Sequence, residues 1–450
     1  MKDHEPVLQI VHISDMHLTD PEFKPMVSET FLKRLLTKFD VFKPALPNSM
    51  KQRWEAIFDR AQRMKVILED GFWGHEPKAV KIMAKDIARH ALDDRKLWKG
   101  VPIWLIDSGD QSTWGDDLSL DMGLSLIQQS AKALNSKYYT RIHGNHDTWP
   151  TQFPLGGTKA KRNQHRSKLR TQHFKDDYPS IDDFYVPIPG TSSRISLSRL
   201  NSAVHTRKTN ALARGYIRED KYWEQRSRPR INHQLDRLYE IADRNNSNRT
   251  YDLRIVLSHH PINARFINTK AGRHGKAIEL NNAKAIARGL STPRSSLGGE
   301  PLAHLILSGH THAVYPPIGE LEDYQAQEQK LKRPVQLVAG TTAHLDMVGE
   351  ADCSAGNTDD LLDELLLDDP SDNGHIDSKL QKKEEVDKVY KHQFQILRFW
   401  KPCKLKPADK PYLVLERLVF GRRNGAGNFE QLQNILHITT TTPEKIKIYY

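Results

Sequence analysis

Cysteine is nearly absent: Cys353 and Cys403 are the whole supply. Two distant thiols exclude a disulfide-stapled scaffold and a thiolate metal site, and they fit a reducing compartment. Long apolar runs are missing as well. No 18-residue apolar stretch occurs, which excludes a membrane-spanning helix. Apolar residues make up 38% of the 450 and mean hydropathy is -0.65, so loops must carry a large polar excess. The N-terminus, Met1-Lys2-Asp3-His4-Glu5-Pro6, shows no charged-then-apolar leader with a small-residue cleavage site. A secretory signal is therefore not expected, and a cytoplasmic location is. No internal repeat is seen. The length admits one large domain with insertions, or two domains.

Positive charge is present in excess, and unevenly. Net charge is +11, yet residues 350–378 hold ten acids and no Lys or Arg, which leaves +21 on the remainder. A positive body favours phosphorylated metabolites, nucleotides or nucleic acid, though it also serves plain solubility. Six basic residues crowd into positions 159–170. The acidic stretch 350–388 reads as a linker or partly disordered loop.

Along the chain, short β-tending runs alternate with helical patterns, as in a sheet with helical crossovers. Strands are expected at Val7–Ile13, Val101–Ile106, Tyr138–Ile142, Ile195–Leu200, Leu253–Leu257, Leu302–Leu307 and Val335–Val338. Further strands are expected at Tyr390–Phe399, Tyr412–Phe420 and Ile435–Thr442. Helical spacing marks Phe31–Leu36, Trp54–Phe58, Ala79–Ala88, 121–134, 231–244 and 278–290. The stretch 21–95 is long for one crossover, so part of it reads as an insertion.

Five of these strands end in residues that bind metals. Asp15 and His17 follow the first, and Asp110 the second; Gly144-Asn145-His146-Asp147 follows the third. His259-His260-Pro261 and Gly309-His310-Thr311-His312 follow two later ones. Each motif alone is also a polar turn. Together they converge, because ligands gather at the carboxyl ends of strands in α/β sheets. Asp15, His17, Asp110, Asn145, His259, His310 and His312 are too many ligands for one tetrahedral ion. They suit two ions ~3.5–4 Å apart that share a carboxylate. Mixed imidazole and oxygen donors favour Mn, Fe, Zn or Co over Ca or Mg.

In order and type these blocks resemble the calcineurin-like metallophosphoesterase family. The resemblance spans residues 15–312. It implies an α/β (or α+β) four-layer fold, a two-sheet β-sandwich flanked by helices. It also implies a catalytic domain over 1–349, the acidic linker at 350–388, and a β-rich segment at 389–450 that completes or is appended to the second sheet. By the same resemblance Asp15, His17 and His312 hold one ion, Asn145, His259 and His310 the other, and Asp110 bridges. His146 donates a proton to the leaving group and Asp147 orients it. His260 and Asn145 contact substrate, and a hydroxide held between the two ions attacks phosphorus.

The function expected is a phosphodiesterase on a nucleotide-type substrate, close in motif style to the cyclic nucleotide phosphodiesterase branch. A nuclease acting on DNA or RNA is the alternative, favoured by the basic body. A non-catalytic scaffold of the same fold is disfavoured, because no expected ligand is missing. Oligomeric state is not legible.

Overall fold

Period-two alternation in the first strand decides which of its side chains meet which layer. The structure is a computed structural model. It describes residues 3–19, 77–93, 98–113, 115–136, 138–148, 164–165, 167–174, 184–203, 215, 217, 234–247, 252–262, 280, 282–293, 297, 299–311, 314, 316, 321–331, 333–340, 342, 390–404, 410–423, 428–432 and 444–450. The strands are β1 His4–Ile13, β2 Ile103–Asp107, β3 Tyr138–Arg141, β4 Tyr185–Pro187, β5 Arg194–Leu200, β6 Asp252–Ser258, β7 Leu305–Ser308 and β8 Val335–Val338. Four more follow: β9 Tyr390–Pro402, β10 Tyr412–Arg423, β11 Glu430–Gln431 and β12 Glu444–Tyr449. The helices are α1 Pro77–Ala91, α2 Asp117–Ala133, α3 Gln234–Ser247, α4 Ala283–Ser291 and α5 Leu321–Lys330.

Two sheets form. One runs β11-β10-β9-β1-β2-β3, with β12 also on β10; the other runs β4-β5-β6-β7-β8. The pairs β1–β2, β2–β3, β5–β6, β6–β7 and β7–β8 are parallel, so their carboxyl ends share one edge of each sheet. β9 lies antiparallel between β1 and β10, deep inside its sheet.

Leu8 and Ile10 of β1, with Trp104 and Ile106 of β2, face Leu253, Ile255 and Leu257 of β6 across the space between the sheets. The alternate residues Val11, Ile13, Ile103 and Leu105 meet Met83 and Ile87 of α1 and Leu126 and Ile127 of α2. On the far side, Val256 and Ile306 pack against Leu238 and Ile241 of α3 and Ile286 and Leu290 of α4. The layers are therefore helix, sheet, sheet, helix, as the family resemblance implies. Truncating one fully buried leucine between the sheets costs about 2–5 kcal/mol, so this contact is what sets the two loop edges side by side.

The expected strands and helices fall within a few residues of those seen, except where they lie outside the described residues. Phe31–Leu36, Trp54–Phe58, the stretch 350–388 and Ile435–Thr442 do so. β4, α5, β11 and β12 were not expected. β4, β11 and α5 are short or polar, with little period to read; β12 (Glu444–Tyr449), where Lys445 and Lys447 alternate with Ile446 and Ile448, does carry the period of a strand. No described helix is long and apolar enough to cross a membrane.

Candidate metal centre

Backbone strain marks the edge where the two sheets meet. Among the described non-glycine residues, Asp15 (φ 51°), His17 (48°), Asp110 (55°) and His310 (74°) are left-handed. Asn135, just past the end of α2, is the fifth. Such a backbone costs of order 1–3 kcal/mol per residue and persists only where surroundings enforce it. Here the loops after β1 and β2 enforce it on each other. Asp15 N–H donates to Gly109 O (2.9 Å), His17 N–H to Asp110 O (2.9 Å) and Leu18 N–H to Gln111 O (2.7 Å). The second sheet is tied to the first by His310 N–H, which donates to Asp15 Oδ2 (2.9 Å), while Gly309 N–H donates to His259 O (3.0 Å) and joins the loops after β6 and β7. Two glycines have no alternative. A Cβ on Gly144 would overlap the Asp110 carboxylate, and one on Gly309 would overlap Ser14 Oγ.

The side chains converge accordingly. His259 Nε2 lies 2.9 Å from Asn145 Oδ1, 3.1 Å from His310 Nδ1 and 3.2 Å from Asp110 Oδ2. His17 Nε2 lies 4.0 Å from the same Asp110 oxygen. Asp110 thus belongs to two groups with ligand atoms within 4.8 Å: one with Asp15 and His259, the other with His17 and His146. His259, His260 and His310 form a third. Asp15, His17, Asp110 and His259 are fully buried.

The donor set fits cations. Ser108 O, 2.9 Å from Nδ1, takes one hydrogen of the His259 ring, so Nε2 is the atom that faces the cluster and would offer a lone pair where a cation replaces its proton. Asp110 Oδ2 is buried and receives no well-aligned hydrogen bond, although His259 Nε2 is near; Asn145 Nδ2 is buried without a partner as well. Burial alone would strip His259 of its proton, yet the Asp110 and Asp15 carboxylates and Ser108 O overcome it and hold the ring up at about 9. A dry cavity that keeps an imidazole charged is one that calls for positive charge.

The loop after β3 carries the rest. His146 N–H donates to Asp110 Oδ1 (2.9 Å), and its ring Nδ1 lies 3.1 Å from Thr113 O. Because a carbonyl only accepts, Nδ1 carries a hydrogen. Asp147 was expected to orient this ring. Its carboxylate instead accepts from Ser112 N–H and Gly144 N–H, both at 2.8 Å. Asp147 therefore shapes the loop, and the Thr113 carbonyl stands at the ring. Burial and the charge of Asp110 raise Asp147 to about 7 against those two amides.

His260 sits beside the cluster, its ring centroid 4.4 Å from that of His310 and its Nδ1 2.8 Å from Ser202 Oγ. His312 lies outside the described residues, as does most of the basic run; its described residues lie in a segment that packs on the Gly144–Asp147 loop. There His165 Nε2 donates to Asp147 O (2.9 Å), and Leu169 and Phe174 close on Leu120.

Sequence reasoning missed Thr113, His165, Ser202, and the buried polar residues His12, Ser108, Gln393 and Gln395. The last four did leave a signal, as polar residues on or beside the inward face of otherwise apolar strands.

The family model for calcineurin-like phosphoesterases matches residues 8–314. No curated protein matches the chain. Among the solved structures that match is purple acid phosphatase PPD1 from yellow lupin (Lupinus luteus) seeds, with 11% identity and a TM-score of 0.37. That match covers 95% of this chain and 53% of the other, so the chain spans about half the length of that relative.

Proposed function

The chain belongs to the calcineurin-like phosphoesterase family; from that premise we propose that it is a phosphoester hydrolase, a dinuclear phosphodiesterase acting on a nucleotide-type ester. The observation that carries the two-ion reading is Asp110, whose carboxylate stands between His17 on one side and His259 on the other. Asp15, His17 and Asp110, with His312, are the residues for one ion; Asp110, Asn145, His259 and His310 are those for the second. Mn, Fe or Zn suit these donors. Two such cations supply Lewis acidity toward phosphate oxygens and water.

The protein groups do the remaining work. Asn145 holds its buried amide nitrogen free of protein partners, which makes it a donor for a phosphoryl oxygen. His146 has Nδ1 anchored at Thr113 O, and as an imidazolium it would pass its Nε2 proton to the departing alkoxide. His260, its ring fixed by Ser202, is assigned to the bound phosphate from the His310 side. The His259-His260-Pro261 and Gly309-His310-Thr311-His312 blocks support the nucleotide-type substrate.

Asp110→Asn tests the reading. It removes the shared charge and should abolish both retained cation and turnover of a phosphodiester; full cation content in this variant would sink the two-ion site. A panel with added Mn comparing a phosphomonoester, a phosphodiester, cyclic nucleotides and nucleic acid then fixes the class. The net charge of +11 favours a second reading, a nuclease. Steep salt dependence of binding to a polynucleotide, and none to a mononucleotide, would select it.

A further inference from the structure

The family match stops at residue 314, yet β9 begins at Tyr390 and runs through the middle of the first sheet. Its face toward the second sheet starts polar and turns apolar. Gln393 and Gln395 stand on the same face as Leu397 and Phe399, while Phe394 and Ile396 point to the helices. Those two glutamines lie under the ligand loops.

Gln395 pairs with His12 across the β1–β9 ladder. Its Nε2–H donates to His12 Nδ1 at 2.9 Å. His12 must then carry its hydrogen on Nε2, which lies 3.0 Å from Ser108 Oγ. Ser108 in turn offers its carbonyl to His259 Nδ1 at 2.9 Å. Gln395, His12, Ser108 and His259 are all fully buried. One amide thus sets a tautomer, the tautomer sets a serine, and that serine's backbone aims the His259 lone pair. Gln393 works beside it. Its Oε1 accepts from Val314 N–H (3.2 Å), two residues past His312. Its carbonyl accepts from Thr342 Oγ (3.5 Å), and Thr342 exchanges bonds with Ser14 N–H (3.2 Å) and Ser14 O (3.0 Å), next to Asp15.

A satisfied core glutamine would not look like this. Gln395 leaves its own Oε1 buried without a partner. An unpartnered polar atom in a dry core is unfavourable, and a leucine of similar size would avoid it. Fold stability alone therefore argues against the amide, and the bond to His12 argues for it.

We propose that Gln393 and Gln395 are positioning residues of the metal centre, so that the C-terminal strand β9, outside the matched family region, is an integral part of that centre. The inference rests on the dinuclear reading above. Groups of this kind around a metal site typically govern 10–100-fold in metal affinity.

The test uses the full chain and Co²⁺ alone as probe, measured by chelator competition and by its visible absorption, with thermal unfolding of the cation-free protein alongside. Gln395→Leu should weaken Co²⁺ at least ten-fold and alter the Co²⁺ spectrum, while the cation-free unfolding temperature holds or rises. Gln395→Glu should lose affinity too, since a carboxylate accepts from His12 and reverses its tautomer. Ile396→Ala, one residue on and facing the helices, should lower the unfolding temperature and leave affinity and spectrum unchanged. Unchanged affinity and spectrum in both Gln395 variants overturn the proposal. A wild type that binds Co²⁺ but hydrolyses no phosphoester refutes only the function above, whereas a wild type that binds none overturns both.

Discussion

Gly144 and His146 are separated by one residue and do opposite kinds of work. Gly144 is chosen by what it lacks, because any Cβ there would collide with the Asp110 carboxylate. Gly144→Ala should therefore displace Asp110 or the loop. Overpacking of this kind costs about 1–3 kcal/mol, and the expected result is weaker cation binding with a modest drop in unfolding temperature. Wild-type cation retention in this variant would show that the loop relaxes freely. His146 is chosen by what it holds. Its ring contacts His17 edge-on, at 4.6 Å between centroids, and its Nδ1 is anchored at Thr113 O. His146→Ala should keep both cations and lose roughly 10²–10⁴-fold in turnover, the usual range for a lost proton donor. The loss should be steepest with poor leaving groups. Cation loss in that variant would move His146 from proton donor to ligand.

Among elements, the segment 167–174 has two kinds of grip on the molecule. Lys168 and His173 reach Asp117 at 2.6 and 3.0 Å, but that carboxylate is 53% exposed. Exposed pairs of this sort are worth about 0–1 kcal/mol. Leu169 and Phe174 are buried against Leu120, and the Arg141 guanidinium stacks 4.5 Å above the Phe174 ring. Removing a buried phenyl costs about 3–5 kcal/mol, so the wedge outweighs the charges. Phe174→Ala should loosen this segment and with it the His165 bond to Asp147 O. Turnover should fall while cation content stays, whereas Lys168→Ala should change little. Equal effects of the two substitutions would contradict this ranking.

For the molecule as a whole, buried neutral histidines make acid the weak side. Burial pushes His304 down to about 4, although Glu300 beside it pulls the other way, and its Nδ1 already accepts from Arg254 N–H at 2.9 Å. An unfolded histidine titrates near 6.5. Between that value and 4 the unfolded chain binds the extra proton, so stability falls as pH falls through this window. From pH 7 to 5 the loss is roughly 2 kcal/mol for such a group. Denaturant midpoints at the two pH values measure it, and His304→Asn should flatten the difference. An equal slope in variant and wild type would assign the acid sensitivity elsewhere, with His12, held at about 3 by burial, the next group to test.

The sequence by itself determined the alternating strands and helices and, through the family resemblance, the expected layers and most of the candidate ligand set. Alternation is a local property, so Leu8 and Ile10 versus Val11 and Ile13 could be sorted to two faces without knowing the partners. Asp15, Asp110, Asn145, His259 and His310 were legible because each lies just past an apolar strand, and parallel strands bring such ends to one edge. The tertiary structure decided everything that depends on contact between distant segments. It put β9 beside β1, brought Gln395 to His12, gave the His146 ring to Thr113 and turned the Asp147 carboxylate to Ser112 and Gly144. No local period encodes these pairings, since each one forms only when the sandwich closes and a buried polar group must take whichever partner the packing leaves within reach.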